Sequence, residues 1–431
     1  MENSWKSRLR TRERKAGDSS RPSTTAAPIN SDLYDWREDY VTGWADSFPS
    51  DDDDVYQEKL AKLPKIPPKT NKQLREEKHL QQTSIDSKIN NSLFCFALKV
   101  LKTKQGQTTV LSPLSMGVAL SAILNGTKGR SLEQVKNAVF DGLHVNNINA
   151  HFASLLHLLT ELSMGTAVFV DKSSTVKGNF KLHMDCYPGF VIKNVNFQKN
   201  ATKEQTLVNS VVEEMTKQDV KDFLPAGMLN DTTSVVIASA VHVRASFLHQ
   251  CVSDSTVIRP FSSGNNVNNI PVLKCISSGE ERPDHTKRPD FYKKGGEERL
   301  KPTHLSTPDF DYVDFCLRFG EPEDCTGDYR FFVICPKLGS LEDLLDRFIL
   351  KMSIWSETVD DALLVDFLSL EVPKFKVQSS MDLRNVLESL GIKDLFDISK
   401  ADFSNLASGK PKLDFLMHKV GFFFVQTNVL F

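Results

Sequence analysis

The sequence lacks several features that would place it directly in a functional class. No run of about 18 apolar residues occurs in the 431-residue chain, so no membrane-spanning helix is predicted. The opening residues, MENSWKSRLRTRERK, contain no apolar core, and we therefore predict no signal peptide in this chain. The 53 Lys and Arg residues nearly balance the 55 Asp and Glu residues, which argues against a protein that coats nucleic acid or an anionic membrane.

Cysteine and cofactor motifs are also sparse. The seven cysteines form an odd number without a C-x-x-C pair, so we predict scattered thiols rather than a disulfide framework. The histidines at 151 and 157, and those at 242 and 249, lack acidic or cysteine partners at metal-binding spacing. No phosphate-binding or dinucleotide-binding motif occurs. We therefore predict neither a metal site nor a cofactor.

Residues 1–84 differ in composition from the rest of the chain. They begin basic, continue through Ser, Thr and Pro, and become acidic in DLYDWREDY and DDDDVYQE, where Tyr34, Tyr40 and Tyr56 alternate with carboxylates. Because such a segment buries too little apolar surface to offset the entropy of ordering it, we predict a disordered charged N-terminal extension. This extension is either a solvated tail or an arm that docks on a basic surface. An arm of this kind would suit an intracellular interaction module.

Residues 85–431 have the composition of a globular domain. Apolar residues at helical spacing predict a helix over Ile85–Leu101, and Ser131–Gln134 forms a capping box that predicts the start of another. Thr233–Val243 is apolar and rich in β-branched residues, as in a buried strand. Helices and strands without a βαβ rhythm indicate an α+β fold. Mixed charge with Gly and Pro predicts an insertion-like surface loop over residues 276–310.

Several segments of this domain, in this order, resemble the serpin family of serine protease inhibitors. LSPLSMGVALSAILNGTKGRSLEQV (111–135) resembles the family's early signature, and SVVIASAVHVRASF (234–247) resembles its central sheet strand. EVPKFKVQSSMDLRNVLESLGIKDLFDISKADFSNL (371–406) matches in residues and spacing, and LDFLMHKVGFFF (413–424) is similar to the family's H-K-A-F strand. The resemblance implies three β-sheets with about eight or nine surrounding helices.

The resemblance also implies a mechanism. Family members offer a long exposed loop to serine proteases, and sometimes to cysteine proteases. After cleavage the loop inserts as a new strand into the largest sheet and carries the acylated protease with it. The hinge of this loop must be small and flexible, because each of its residues has to enter a closed sheet.

This chain departs from the family pattern after His418. Gln426 and Asn428 stand where the family has Glu and Gly, and the bulky residues Val429–Phe431 occupy the first hinge positions. In a second alignment, Thr427–Phe431 resembles the family's last strand, T-N-T-I-L-F. Both alignments leave no reactive-centre loop, no reactive bond and few of the C-terminal strands. We therefore expect a serpin-like binding or regulatory protein. The alternative is a serine protease inhibitor whose C-terminal part is missing from this sequence.

One group of residues matches a hydrogen-bonding cluster that the family has beneath the main sheet, where the sheet opens. Ser112, Ser115 and His418 match it, and Ser239 stands where Asn usually completes it. We expect a weaker cluster, because a hydroxyl does not offer the separate donor and acceptor of an amide. A Ser and a His together invite comparison with a catalytic triad, but no G-x-S-x-G elbow occurs, so we predict a structural role and no enzymatic activity.

The sequence also carries indications of location and partners. Four N-x-[ST] sequons, at Asn90, Asn125, Asn200 and Asn230, are possible glycosylation sites and favour secretion. The family is mostly extracellular, whereas the lack of a signal peptide in this chain favours the cytoplasm. By family analogy the partner is a protein, with a protease as one candidate. Glycosaminoglycan binding is not expected, because HFASLLHLLTELS (151–163) has two His and no Lys or Arg where some family members have a basic helix.

Overall fold

The computed structural model describes most of the chain after residue 70. The described residues are 71–104, 106–159, 162–247, 251–263, 266–276, 303–306, 310–318, 329–337, 339–350, 369–373 and 375–424. No helix among them combines the length and the apolar character needed to cross a membrane.

Eight α-helices and one short 3₁₀ helix occur in the described residues. The helices are α1 (Asn71–Lys102), α2 (Pro113–Gly126), α3 (Gly129–Phe140), α4 (Val145–Leu158), α5 (Gly178–Met184), α6 (Phe197–Met215), α7 (Leu341–Leu350) and α8 (Arg384–Ser389), and the 3₁₀ helix is Asp394–Phe396.

Eleven strands in the same residues form the sheets. They are β1 (Ser163–Asp171), β2 (Phe190–Val195), β3 (Val235–Phe247), β4 (Cys251–Ser263), β5 (Asn266–Ile276), β6 (Thr303–Ser306), β7 (Phe310–Arg318), β8 (Tyr329–Pro336), β9 (Ser369–Pro373), β10 (Lys376–Asp382) and β11 (Leu413–Phe424).

The strands form a five-stranded main sheet and two smaller antiparallel sheets. The main sheet has the order β10-β11-β3-β1-β2. One smaller sheet contains β6, β7 and β8, and the other has the order β4-β5-β9. The far end of β3 also pairs with β7, through Ser246 with Arg318 and Phe247 with Leu317, so β3 belongs to two sheets. The fold is therefore α+β with three sheets, as the sequence predicts.

Two apolar clusters cover the two faces of the main sheet. On the back face, Val235 and Ile237 of β3 pack in a large cluster with residues of α1, α2 and α4. On the front face, Val236, Ala238 and Ala240 of β3 pack with residues of α6 and of the segment that follows it. Because successive side chains of a strand point to opposite faces, β3 is buried on both sides, which explains its nearly continuous apolar sequence.

Helix α2 packs unusually closely against its neighbours on the back face. The Ser112 side chain caps its N-terminus by accepting a hydrogen bond from the Ser115 N–H at 3.2 Å, and Pro113 occupies the first turn. A Cβ atom added at Gly117 would lie 2.5 Å from Cζ of Phe152 and 2.8 Å from Cδ1 of Leu93. Glycine at this position therefore lets α4 and α1 approach the α2 backbone.

The structure corrects three details of the sequence interpretation. Helix α1 begins at Asn71, so the boundary predicted at residue 84 lies inside a helix; residues 1–70 lie outside the described residues. Helix α3 begins at Gly129 rather than at the predicted cap Ser131, whose hydroxyl instead accepts from the Asp402 N–H at 3.1 Å. The predicted loop 276–310 contains strand β6 and the first residue of β7, while residues 277–302 lie outside the described residues.

Candidate functional site

The candidate site is the contact between β3 and β11 in the middle of the main sheet, which we call the seam. The two strands run parallel and pair from Val235 with Leu413 to Ala245 with Phe424. Their outer neighbours, β1 and β10, are both antiparallel to them. An added strand antiparallel to both would therefore replace one parallel ladder with two antiparallel ladders, which are slightly more stable per residue. The closed seam is consequently a place where the sheet can gain from accepting a strand.

Small residues line the seam. Ala238, Ser239 and Ala240 lie on β3, and Gly421 lies on β11 opposite His242. A Cβ atom at Gly421 would lie 2.6 Å from Cδ2 of His242, so the histidine ring occupies the space of the missing side chain. Each of these small residues therefore stands opposite a larger one on the other strand, so the two strands pack closely together.

On the back face, the structure brings together the four residues that the sequence singles out. The Ser112 N–H donates to Nε2 of His418 at 3.2 Å, so Nε2 carries no proton and Nδ1 is the protonated nitrogen of the neutral ring. Nδ1 lies 3.2 Å from Oγ of Ser239 and 3.5 Å from Oγ of Ser115. The cluster connects β3 and β11 to the start of α2, directly behind the seam.

Ser239 makes two hydrogen bonds within this cluster. Its hydroxyl accepts from Nδ1 of His418 and donates to the backbone carbonyl of Ser115 at 3.0 Å. The Ser239 hydroxyl therefore has both a donor and an acceptor partner, and the expectation of a weaker cluster stays a prediction.

Burial decides what this cluster can do. Ser115, Ser239 and His418 have no solvent-exposed surface, so their hydrogen bonds lie inside the core, away from water. Desolvation of the charged imidazolium lowers the pKa of His418 to about 3. The ring therefore stays neutral at physiological pH, as its hydrogen bond from Ser112 requires.

Acid should destabilise the protein through His418. Since its folded-state pKa lies below its unfolded value of about 6.5, the unfolded state binds more protons between these values, and stability present above pH 6.5 is lost as the pH falls toward 3. We expect this group alone to lower the free energy of unfolding by about 2–3 kcal/mol between pH 7 and pH 4.5. Urea titrations of the wild type and of His418→Gln measure this, and an undiminished acid loss in the variant would contradict it.

On the front face, the segment that follows α6 crosses the seam and binds both of its strands. We call residues 216–224 the strap. Asp219 of the strap forms an ion pair with Arg244 of β3. The ammonium group of Lys419 on β11 donates to the carbonyl oxygens of Lys221 at 2.6 Å and Asp222 at 2.8 Å. A strand cannot enter the seam until these contacts break.

The strap has a strained backbone and an apolar underside. Lys217, Gln218 and Asp222 have φ angles of 52°, 70° and 47°, in the left-handed region that favours glycine. Phe223 and Leu224 are buried in the front cluster and hold the strap down despite this strain. The strap therefore combines a strained backbone with a buried apolar anchor.

The predicted glycosylation sites differ in accessibility. Asn90, Asn200 and Asn230 are exposed and stay predictions. The Nδ2 group of Asn125 donates to the Ser121 carbonyl and to Oδ1 of Asn149, both at 2.8 Å, so a glycan there would replace one of these two donor hydrogens and break at least one hydrogen bond. We therefore expect no glycan at Asn125. Within the part of the chain that the structure describes, no group of three or more His, Cys, Asp or Glu side chains could hold a metal ion.

Sequence reasoning missed the strap and its contacts. Asp219 and Lys419 are about two hundred positions apart along the chain, and no local pattern joins them. The alternation in HVR does place His242 and Arg244 on one face of β3. That alternation was the one feature of the sequence that pointed to the face of β3 on which the strap lies. Residues 425–431, which contain the predicted hinge positions, lie outside the described residues.

Comparisons with known proteins agree with this architecture. A family model described as serpin (serine protease inhibitor) matches residues 89–423. Serpin B10 of Rhinolophus ferrumequinum is 22% identical over 375 residues, covering 80% of this chain and 86% of the relative. Among solved structures, native protease nexin-1 with heparin is similar at a TM-score of 0.66 with 18% identity, covering 81% of this chain and 90% of the other. Maspin also gives a TM-score of 0.66 with 18% identity, covering 80% and 87%.

Proposed function

Because this chain belongs to the serpin family, we propose that it is a serpin-fold protein that binds a protein partner without trapping a protease by loop insertion. The residues after β11 carry this proposal. Val429–Phe431 are bulky at the hinge positions where the family pattern needs small residues. On this proposal the serpin-fold domain regulates a protein partner by binding it rather than by trapping a protease.

The geometry of the seam supports the proposal. Any inserted strand would place alternate side chains toward α2 on the back face and toward the strap on the front face. Both layers are close-packed: Ser115 lies against His418 behind the seam, and Lys419 holds the strap in front. Small side chains would displace little of this packing, whereas Val, Leu and Phe would need the whole sheet to separate further.

Incubation with serine proteases tests the proposal. Incubation with trypsin-like, chymotrypsin-like and elastase-like serine proteases should give no covalent adduct on denaturing gels and leave protease activity intact. An inhibitory serpin run in parallel is the control for adduct formation. A band at the summed mass of this chain and a protease would overturn the proposal.

A second candidate is a serine protease inhibitor whose reactive loop lies in a longer chain that continues past Phe431. The features that favour it are the parallel pairing at the seam, which an inserted strand would replace with two antiparallel ladders, and the small residues Ala238, Ser239 and Ala240 that line it. A synthetic peptide of about twelve alternating Ala and Thr residues would match the length of the seam strands. If the seam opens, the peptide should raise the melting temperature by more than about 5 °C.

The intact mass of the protein from its natural source separates the two candidates. A C-terminal peptide ending in QTNVLF supports the first. A mass greater by a few kilodaltons, with an Ala- and Thr-rich sequence after β11, supports the second. The same spectrum tests secretion, which we propose from the family and from the exposed sequons, because glycans at Asn90, Asn200 or Asn230 would appear as hexose increments. A protein with none of these increments would favour the cytoplasm.

Glycosaminoglycan binding through α4 is not part of this proposal. His151 is buried, with Nδ1 3.0 Å from Oδ1 of Asp86 and Nε2 3.0 Å from Oδ1 of Asn90. It therefore joins α4 to α1 and does not face solvent. The helix has no Lys or Arg to offer a sulfated chain instead.

A further inference from the structure

His242 occupies an unusual position between the strap and the seam. Its side chain is buried, and its ring lies 4.5 Å from the ring of Phe423 in the space that Gly421 leaves open. Nδ1 lies 3.1 Å from Oδ2 of Asp219 on the strap, but without the alignment of a hydrogen bond. A buried ring nitrogen without a hydrogen-bond partner costs free energy that a hydrated ring would recover.

Charged groups from three elements face this ring. Asp219 comes from the strap, Arg244 from β3 and Lys376 from β10, where its ammonium group lies 4.1 Å from the centre of the Phe423 ring. Desolvation lowers the pKa of His242, Asp219 opposes this by raising it, and Arg244 and Lys376 lower it further. The net direction is downward, so the closed site favours the neutral ring.

We propose that His242 is a proton-sensitive latch, which holds the strap over the seam while its ring is neutral and favours release of the strap when the ring is protonated. Release lets water reach Nδ1, and this hydration favours the proton by more than the loss of the nearby Asp219 carboxylate disfavours it, because desolvation is the larger influence in the closed form. The proton then binds the released form more tightly than the closed form, and by linkage it shifts the equilibrium toward release. This inference concerns the seam described under the proposed function. The strap lies over that seam and controls its opening.

The size of the effect follows from the titration of a hydrated imidazole. With a pKa of about 6.5, the released ring is about nine-tenths protonated at pH 5.5 and about one-tenth protonated at pH 7.5. If the closed form stays neutral, the equilibrium constant for release rises by up to about tenfold between these two pH values. The equilibrium constant rises by less than this if the Asp219 carboxylate lets the closed form bind part of the proton as well.

Hydrogen exchange of the full-length protein tests the latch. We expect the opening constant of peptides covering residues 216–224, corrected for the intrinsic exchange rate, to be about three- to tenfold higher at pH 5.5 than at pH 7.5. In His242→Phe, a ring of similar shape cannot titrate, and the ratio should fall to about one. The matched control His157→Gln changes an exposed histidine on α4 and should keep the wild-type ratio.

Three results would overturn the latch. The first is an equal opening constant at both pH values in the wild type, and the second is an unchanged ratio in His242→Phe. The third comes from exchange of the imidazole C2 hydrogen in the wild type, which reports the protonation of His242 without any substitution. A pKa at or above 6.5 while the strap stays protected would contradict the proposal. Protease adducts and peptide insertion are measured at pH 7.5, so failure of the proposed function would be seen separately.

Discussion

Replacing His418 with alanine should lower the free energy of unfolding by about 3–5 kcal/mol. The imidazole is fully buried, so its removal leaves a cavity behind the seam. It also leaves the Ser112 N–H without its acceptor and Oγ of Ser239 without its donor. The loss is larger than for a purely apolar side chain of the same size, because unsatisfied polar groups add to the cavity term.

Urea unfolding of the His418→Ala variant measures this loss. His157→Ala is the matched control, since His157 is exposed on α4 and its removal should change stability by less than about 0.5 kcal/mol. His418→Asn should recover part of the difference, because an amide offers both an acceptor and a donor. If His418→Ala lost no more than the control, the cluster would not hold the seam to α2.

Replacing Gly117 with valine should cost about 3 kcal/mol of unfolding free energy. The first added carbon would already lie 2.5 Å from Cζ of Phe152 and 2.8 Å from Cδ1 of Leu93. Phe152 has no exposed surface, so it cannot swing aside, and α4 must move away from α2 instead. The better helix propensity of a residue with a side chain recovers less than about 1 kcal/mol.

Gly178→Val is the matched control for this overpacking. Gly178 also lies in a helix, but a Cβ atom there would meet no heavy atom within 4 Å. Its substitution should therefore change the unfolding free energy by less than about 1 kcal/mol. The double variant Gly117→Val/Phe152→Leu should lose less unfolding free energy than the two single variants lose together, because the smaller leucine side chain makes room for the valine. Strict additivity would show that the two residues do not compete for space.

The sequence predicted the layers of this fold better than the ends of its elements. Strand β3 was identifiable because both of its faces are apolar. The start of α1 was missed, because NKQLREEKHLQQTS has strong helix formers but no apolar stripe. Ser131 was misread as a cap because the start of α3 depends on Asp402, whose backbone bonds both Lys128 and Ser131 from a distant part of the chain. Tertiary contacts of this kind leave no local pattern.

The site divided in the same way. Ser112, Ser115, Ser239 and His418 could be named because segments of recognisable sequence contain them. The donor and the acceptor in each of their hydrogen bonds could not be worked out from residue types alone, because the tautomer of His418 depends on the direction of the Ser112 N–H. The strap escaped notice because its contacts join residues from α6, β3 and β11 whose side chains look like ordinary surface charges in sequence.

The membership of β3 in two sheets has a mechanical consequence. When the seam opens, β3 cannot move independently of β7, because Ser246 and Phe247 are paired with Arg318 and Leu317. A displacement of β3 at the seam would therefore strain these two pairs. We expect a ligand that fixes the β6–β7–β8 sheet to affect opening of the seam, and by reciprocity seam opening to affect that ligand's affinity.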